Sequence, residues 1–250
     1  MVGLMSAWSA FASVGDNFDS YTAGTDLNGQ GGWTASAVYD IFADGTAPSS
    51  PNSVQVTDVD ASSHDASIIT TEPVQGDGRL IWYAKHDASN NLSDNSGFNV
   101  RLHATLDTLG AGADKIFQVG FDPGSDRFSW TRWAAGEGGG GATFWSNPGD
   151  VALDTWYKFD VDYFIDQGTF DKTVDLKISL ASGGSPIVST SVPIANNQGG
   201  RGHMTSIRWT TGSTHDPSIW YLDSVENIPE PASLVLLGLG AAMLLRFRRR

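Results

Sequence analysis

The stretch Tyr157-Lys158-Phe159-Asp160-Val161-Asp162-Tyr163-Phe164-Ile165, followed shortly by Val174-Asp175-Leu176-Lys177-Ile178-Ser179-Leu180, decides how this chain folds. Tyr157, Phe159, Val161, Tyr163 and Ile165 alternate with Lys158, Asp160 and Asp162. Val174, Leu176, Ile178 and Leu180 alternate in the same way with Asp175, Lys177 and Ser179. Successive side chains of a strand point to opposite faces, so a period of two with one apolar face is a half-buried antiparallel strand. Asp166-Gln167-Gly168 and the following Thr169 to Lys172 lie between the two segments and predict a hairpin.

The same pattern recurs outward from this pair. Phe98, Val100, Leu102, Ala104 and Leu106 alternate with Asn99, Arg101, His103 and Thr105, and Phe117, Val119 and Phe121 alternate with Gln118 and Gly120. Shorter candidates are Ser53–Thr57, Leu80–Lys85, Arg127–Trp133, Ile187–Val192, Met204–Thr210 and Ile219–Val225. Glu137-Gly138-Gly139-Gly140-Gly141 reads as a loop. No sustained 3.6-residue pattern occurs outside the C-terminal tail. A single open sheet would leave a bare apolar face, so this many strands predict two stacked antiparallel sheets. The expected fold is all-β, a two-sheet antiparallel β-sandwich of jelly-roll type over residues 13–226, plus one C-terminal apolar helix.

Composition agrees and removes several functions. The 250 residues carry 15 Lys+Arg against 28 Asp+Glu, a formal net charge of -13. That balance repels phosphate backbones and argues against nucleic acid as a partner. Cysteine is absent, which removes disulfides, thiolate metal sites and a cysteine nucleophile. All but four of the acids are aspartates, the exceptions being Glu72, Glu137, Glu226 and Glu230. Aspartate favours turns over helices and supplies hard oxygen ligands for Ca²⁺, although any one aspartate read alone is a solvated turn residue.

The two ends read differently from the body. Residues 1–12 are small and apolar, and Ala10-Phe11-Ala12 fits a cleavage site, so they read as a truncated signal peptide without its basic region. At the other end, Pro229-Glu230-Pro231 precedes the apolar run Ala232 to Leu245 and the cluster Arg246-Phe247-Arg248-Arg249-Arg250. At about 1.5 Å per residue the run alone falls short of a ~30 Å hydrocarbon core, and snorkelling arginines narrow the gap. The arginines predict a cytoplasmic C-terminus.

Pro229, Glu230 and Pro231, the Leu/Gly/Ala span and the arginines Arg246, Arg248, Arg249 and Arg250, in that order, closely resemble the PEP-CTERM sorting signal of bacteria. The resemblance covers residues 227–250. It implies export, transient anchoring in the inner membrane, processing by an exosortase-type enzyme, and a destination at the cell surface or in an extracellular matrix. The body is similar to concanavalin-A-like, laminin-G-like jelly rolls. That likeness rests on Asp16-Asn17-Phe18-Asp19-Ser20-Tyr21, Leu27-Asn28-Gly29-Gln30-Gly31-Gly32-Trp33, the hairpin from Trp156 and the closing Trp220-Tyr221-Leu222-Asp223-Ser224-Val225. It implies sugar or protein recognition, often with structural calcium, and no catalysis. In such sandwiches the first and last strands are neighbours, which makes Asp19 with Asp223, joined by Asp16, the expected calcium ligands. Ordinary turn acids are the alternative.

Chemistry finds little support. Laminarinase-type enzymes of this fold place two glutamates on one strand, and no such motif exists here. Asp160 and Asp162 share a strand face, where they are either an acid/base pair or a solvated outer face beside Lys158. His64, His86, His103, His203 and His215 show no zinc-protease spacing, and no nucleophile elbow or phosphate loop is present. Binding of a glycan or exopolysaccharide is the better reading, because aromatic faces cover sugar C–H patches and planar polar groups hold hydroxyls. The candidate ligand-binding residues are Arg101, His103, Gln118, Trp130, Arg132 and Trp145. Alternation allows only one of Trp130 and Trp133 onto that surface, and any of these tryptophans can instead be core. Trp33, Trp82, Trp209 and Trp220 are expected in the core. The alternatives to a glycan binder are a structural matrix protein without a ligand site and a divergent glycan-active hydrolase or lyase.

Overall fold

The computed structural model describes residues 15–49, 51–58, 62–75, 78–87, 98–103, 115–122, 126–132, 141–165, 172–194, 203–211 and 218–229. The expected leader 1–12 and the apolar helix over 232–245 lie outside the described residues. So do the loop 166–171 and the glycine run 137–140. No helix among the described residues is long and apolar enough to cross a membrane.

Among the described residues, fifteen strands form two antiparallel sheets. In chain order they are β1 (Gly15–Asp16), β2 (Trp33–Ala35), β3 (Tyr39–Ala43), β4 (Asn52–Asp58) and β5 (Asp65–Gln75). Then come β6 (Gly78–His86), β7 (Asn99–His103), β8 (Lys115–Asp122), β9 (Arg127–Arg132) and β10 (Ala142–Trp145). The last are β11 (Tyr157–Ile165), β12 (Lys172–Leu180), β13 (Val188–Ile194), β14 (His203–Thr210) and β15 (Ser218–Pro229). One sheet runs β13-β12-β11-β6-β15-β4-β3, with β1 paired to β15. The other runs β10-β9-β8-β7-β14-β5-β2. The two segments that open the sequence reading are β11 and β12, in register from Tyr157 opposite Leu180 to Ile165 opposite Lys172.

Alternation builds the core between the sheets. Leu80, Trp82 and Ala84 of β6, Phe159 and Val161 of β11 and Leu176 and Ile178 of β12 point inward from one sheet. Phe117, Val119, Phe121, Phe128, Ile207 and Trp209 meet them from the other. Trp33 stacks on Trp209 at 4.3 Å between ring centroids, and Trp82 stacks on Phe159 at 5.0 Å. Trp33, Trp82, Trp209 and Trp220 are all buried. Each large side chain removed from water contributes about 2–3 kcal/mol of transfer free energy, which makes this aromatic layer a main source of stability.

Short and irregular strands escaped the sequence reading. β1, β2 and β3 are short, and β5 contains Pro73, which cannot donate to a ladder. The β5–β14 register shifts between Met204 and Ser206, placing Thr70–Pro73 in the irregular stretch. β10 is a four-residue edge strand that starts just after the glycine run.

Candidate functional site

The outer face of the seven-stranded sheet brings together Arg101, Gln118 and Trp145 of the residues expected to bind a ligand. One row across it reads Thr143, Thr131, Gln118, Arg101, Arg208 and Ser67, each opposite the next. Alternation puts these residues outward because Phe117, Val119, Val100, Leu102, Ile207 and Trp209 beside them are core. Arg101 donates from Nε to Oε1 of Gln118 at 2.7 Å. Arg208 donates from Nε to Asp65 at 2.7 Å and from a terminal nitrogen to its second oxygen, a bidentate pair. Burial, with Arg208's charge in second place, pushes the Arg101 guanidinium below its usual pKa, against the pull of Asp65 and Tyr39. His103 ends the same strand opposite Lys115, across a register shift, and its side chain lies outside the described residues.

The next row reads Trp145, Ser129, Gly120, Asn99, Thr210 and Asp65. Trp145 is 50% exposed, a large aromatic surface to leave in water. Arg127 lies over its ring at 5.0 Å and donates to Asp122 at 2.8 Å. Gly120 keeps the middle of this row flat: a Cβ there would stand 1.9 Å from the Phe98 carbonyl oxygen, so no side chain fits. Strands lie about 4.8 Å apart, which puts Trp145 and Arg101 roughly 15 Å apart on one face, along which Trp145 is exposed and Thr131, Thr210 and Ser67 are buried. That is the span of a short oligosaccharide.

Trp130 and Arg132 do not join this face. Trp130 is 8% exposed, in the core, and stacks on Phe144 at 6.3 Å. Arg132 donates from a terminal nitrogen to the Pro193 carbonyl at 3.0 Å, tying β9 to β13 of the opposite sheet, with Phe144 beside it at 5.9 Å. Trp133 lies outside the described residues. Sequence reasoning missed Arg208 and Asp65, because strand register, not spacing along the chain, brings them beside Arg101.

The eight-stranded sheet's outer face is consumed by its own ion pairs. Arg79 chelates Asp160, with Nε at 2.6 Å, and lies 3.5 Å from Asp162. Lys158 and Lys177 flank the same two acids at 3.5 and 3.8 Å. Burial opposes ionisation of Asp160, but hydrogen bonds and charge from Arg79 outweigh it and hold the pKa below the usual carboxylate value. A carboxylate held ionised in this way is a poor general acid. Further along, Lys85 fills a cage of Trp156 at 5.0 Å, Tyr221 at 4.4 Å and Asp44 at 3.3 Å, so that aromatic site is occupied by the chain itself.

The first and last strands are neighbours as expected, with Asp16 opposite Val225. The expected calcium ligands are otherwise engaged. Asp16 accepts from the Phe18 N–H at 2.9 Å, the Tyr21 hydroxyl at 2.6 Å and Trp33 Nε1 at 2.8 Å. Gly31 makes room for this clamp, since a Cβ there would stand 1.8 Å from the Tyr21 hydroxyl. Asp223 is buried and accepts from both the N–H and the hydroxyl of Ser49. Burial raises its pKa despite these donors. Asp19 accepts from Asn17 at 2.7 Å and from the Asn52 N–H at 3.3 Å. Each of the three carboxylates thus already accepts hydrogen bonds from the protein, and an ion that takes six to eight oxygen ligands would have to share them with these donors. Among the described residues no three metal-ligating side chains gather at one point.

Comparison with known proteins places both parts of the chain. Residues 227–250 match the PEP-CTERM protein-sorting motif. β15 continues into that motif, with Asn227, Ile228 and Pro229 opposite Leu80, Arg79 and Gly78. No curated protein matches the chain in sequence. Solved structures do match the fold. The Ca²⁺/Man3GlcNAc-bound exoplasmic/lumenal domain of VIP36 has a TM-score of 0.51 at 11% identity, over 80% of this chain and 84% of that one. Arcelin-5, a lectin-like defense protein from Phaseolus vulgaris, has a TM-score of 0.50 at 12% identity, over 86% of this chain and 96% of that one. Alginate lyase vAL-1 from Chlorella virus has a TM-score of 0.54 at 9% identity, over 80% and 93%. At such identities the likeness concerns the fold, which hosts both lectins and enzymes. The chain shares the two-sheet β-sandwich fold of these lectin-like, concanavalin-A-like structures and carries a PEP-CTERM sorting motif over residues 227–250.

Proposed function

We propose that this is an exported, non-enzymatic glycan-binding protein, sorted to the cell surface or an extracellular matrix, that holds polysaccharide on the outer face of its seven-stranded sheet. The sorting motif supports export and membrane-anchored sorting. An exosortase-type enzyme is then its processing partner, and the inner membrane its transient anchor. The sandwich over 13–226 is the delivered module, and 227–250 is the address. Calcium, which the VIP36 structures hold, would here share Asp16, Asp19 and Asp223 with the hydrogen bonds these acids already accept.

One observation carries the glycan reading. Trp145 is half exposed at the sheet edge, on the same face as the Arg101–Gln118 pair, with Arg127 over its ring. An aromatic ring at one end and planar hydrogen-bonding groups at the other suit a sugar chain lying across the strands. The ion-paired state of Asp160 and Asp162 favours binding over catalysis. The test is a glycan array probed with the full chain and with Trp145→Ala. Retained glycans that the variant releases, at an unchanged melting temperature, are expected. No retained glycan would favour a purely structural protein, and release of reducing or unsaturated sugar ends would establish an enzyme.

A further inference from the structure

Arg101 is out of place electrostatically. The chain has nearly twice as many acids as basic residues, so an arginine close to a carboxylate is the ordinary outcome. Arg79, Arg127 and Arg208 follow it, while Arg132 donates to the Pro193 carbonyl between the two sheets. Arg101 does not: among the described residues it has no carboxylate within salt-bridge reach, and its Nε rests on the neutral amide oxygen of Gln118. It also stands directly opposite Arg208 across the β7–β14 ladder. Like charges facing each other across two strands destabilise a sheet, and Asp65 accepts hydrogen bonds from only one of the two, acting on Arg101 through space alone. Among the described residues, two guanidinium groups thus share one hydrogen-bonded acid, which leaves positive charge only partly compensated on a strongly negative molecule. Departures from local electrostatic logic of this kind mark functional positions.

We propose that Arg101, flanked by Gln118 and Arg208, binds the carboxylate of an acidic sugar unit carried in an otherwise neutral glycan. This rests on the glycan-binding reading above and names the ligand class. The guanidinium's terminal nitrogens form a planar fork that matches a carboxylate, and Gln118 fixes the plane by holding Nε. Arg208 occupies both oxygens of Asp65, so that acid is not hydrogen-bonded to Arg101. The rest of the molecule sets the charge density of the ligand. A polymer with a carboxylate on every sugar would bring several negative charges within about 8 Å of an acidic surface and be repelled. A sparsely charged chain places one carboxylate on Arg101 and neutral sugars on the path past Gly120 to Trp145.

The experiment compares three probes on the full chain in mild detergent. They are an oligosaccharide carrying one glucuronate, the same oligosaccharide with that carboxyl reduced to the alcohol, and polygalacturonate. Titration calorimetry is expected to show the glucuronate form binding at least tenfold more tightly than the reduced form, with the preference shrinking as salt rises. Polygalacturonate is expected to bind more weakly than the single-glucuronate form. Arg101→Gln should abolish the preference while its melting temperature stays equal to or rises above that of the unaltered chain, because the substitution relieves the facing charges. Lower stability of Arg101→Gln, or a preference that survives it, overturns the proposal. Equal binding of the charged and reduced forms, lost in Trp145→Ala, overturns it while leaving the glycan reading standing. No binding of any probe or array glycan removes both.

Discussion

His86 lies on the inner side of β6, its ring stacked on Trp220 at 3.8 Å and its Nε2 buried, with no hydrogen-bond partner among the described residues. Burial lowers its pKa to about 4, against weaker opposing pulls from Asp87 and Asp154. A depressed histidine pKa means that the unfolded chain takes up the proton first. Its contribution to stability is therefore complete above about pH 6.5 and is lost as pH falls toward 4, a drop of about 3 kcal/mol. His86→Phe keeps the stack and removes the titration. Urea unfolding at pH 7 and pH 4.5 should show a steep loss for the parent chain and a shallow one for the variant. Equal slopes would show that His86 is not the acid-sensitive group. Single residues divided by what the sequence could say of them. Trp33, Trp82, Trp209 and Trp220 were legible as core because alternation, size and position agreed. Asp16 was legible as a key acid, but its hydrogen bonds to Tyr21 and Trp33 depend on how the loop closes.

At the scale of elements, β15 is the central strand on which the eight-stranded sheet depends. It pairs with β6, β4 and β1, and its bulge between Asp223 and Glu226 sets Ser224 at a φ of 44°. Positive φ at a serine is strained and persists only where surrounding structure fixes it. Asp223, held by Ser49, provides such a fix. Beyond the bulge, Glu226 to Pro229 continue the ladder with β6. Ending the chain after Glu226 should therefore lower the melting temperature by several degrees relative to ending it after Pro229, at roughly 2–4 °C per kcal/mol for a domain of this size. Calorimetry on the two truncations decides it, and identical melting curves would mean that these pairs contribute nothing. Regular strands such as β11, β12 and β8 were readable because one face is apolar along their whole length. β5, with Pro73, and the short β1, β2, β3 and β10 were not, because neighbours already in place supply what their own patterns lack.

At the scale of the molecule, a folded sandwich is joined to its sorting motif with no spacer, since β15 runs into the residues that begin the motif. An anchored form therefore holds the sandwich close to the bilayer. Fractionation should find the full chain with the membrane, and a chain ending at Pro229 released from it. Full-length chain recovered free in the cytoplasm would contradict the sorting reading. By itself, the sequence determined the all-β class, the division into body and tail, the aromatic core and the absence of cysteine chemistry. These follow from local pattern and composition, which a linear chain displays. Only the tertiary structure decided that Arg101 faces Arg208 and rests on Gln118, that Trp130 is core while Trp145 stays in water, and that Asp160 and Asp162 are spent on Arg79. Those outcomes are set by which strands become neighbours and in what register. Register is a property of the closed sheets, chosen by the packing of both inner faces at once, and no stretch of sequence contains it alone.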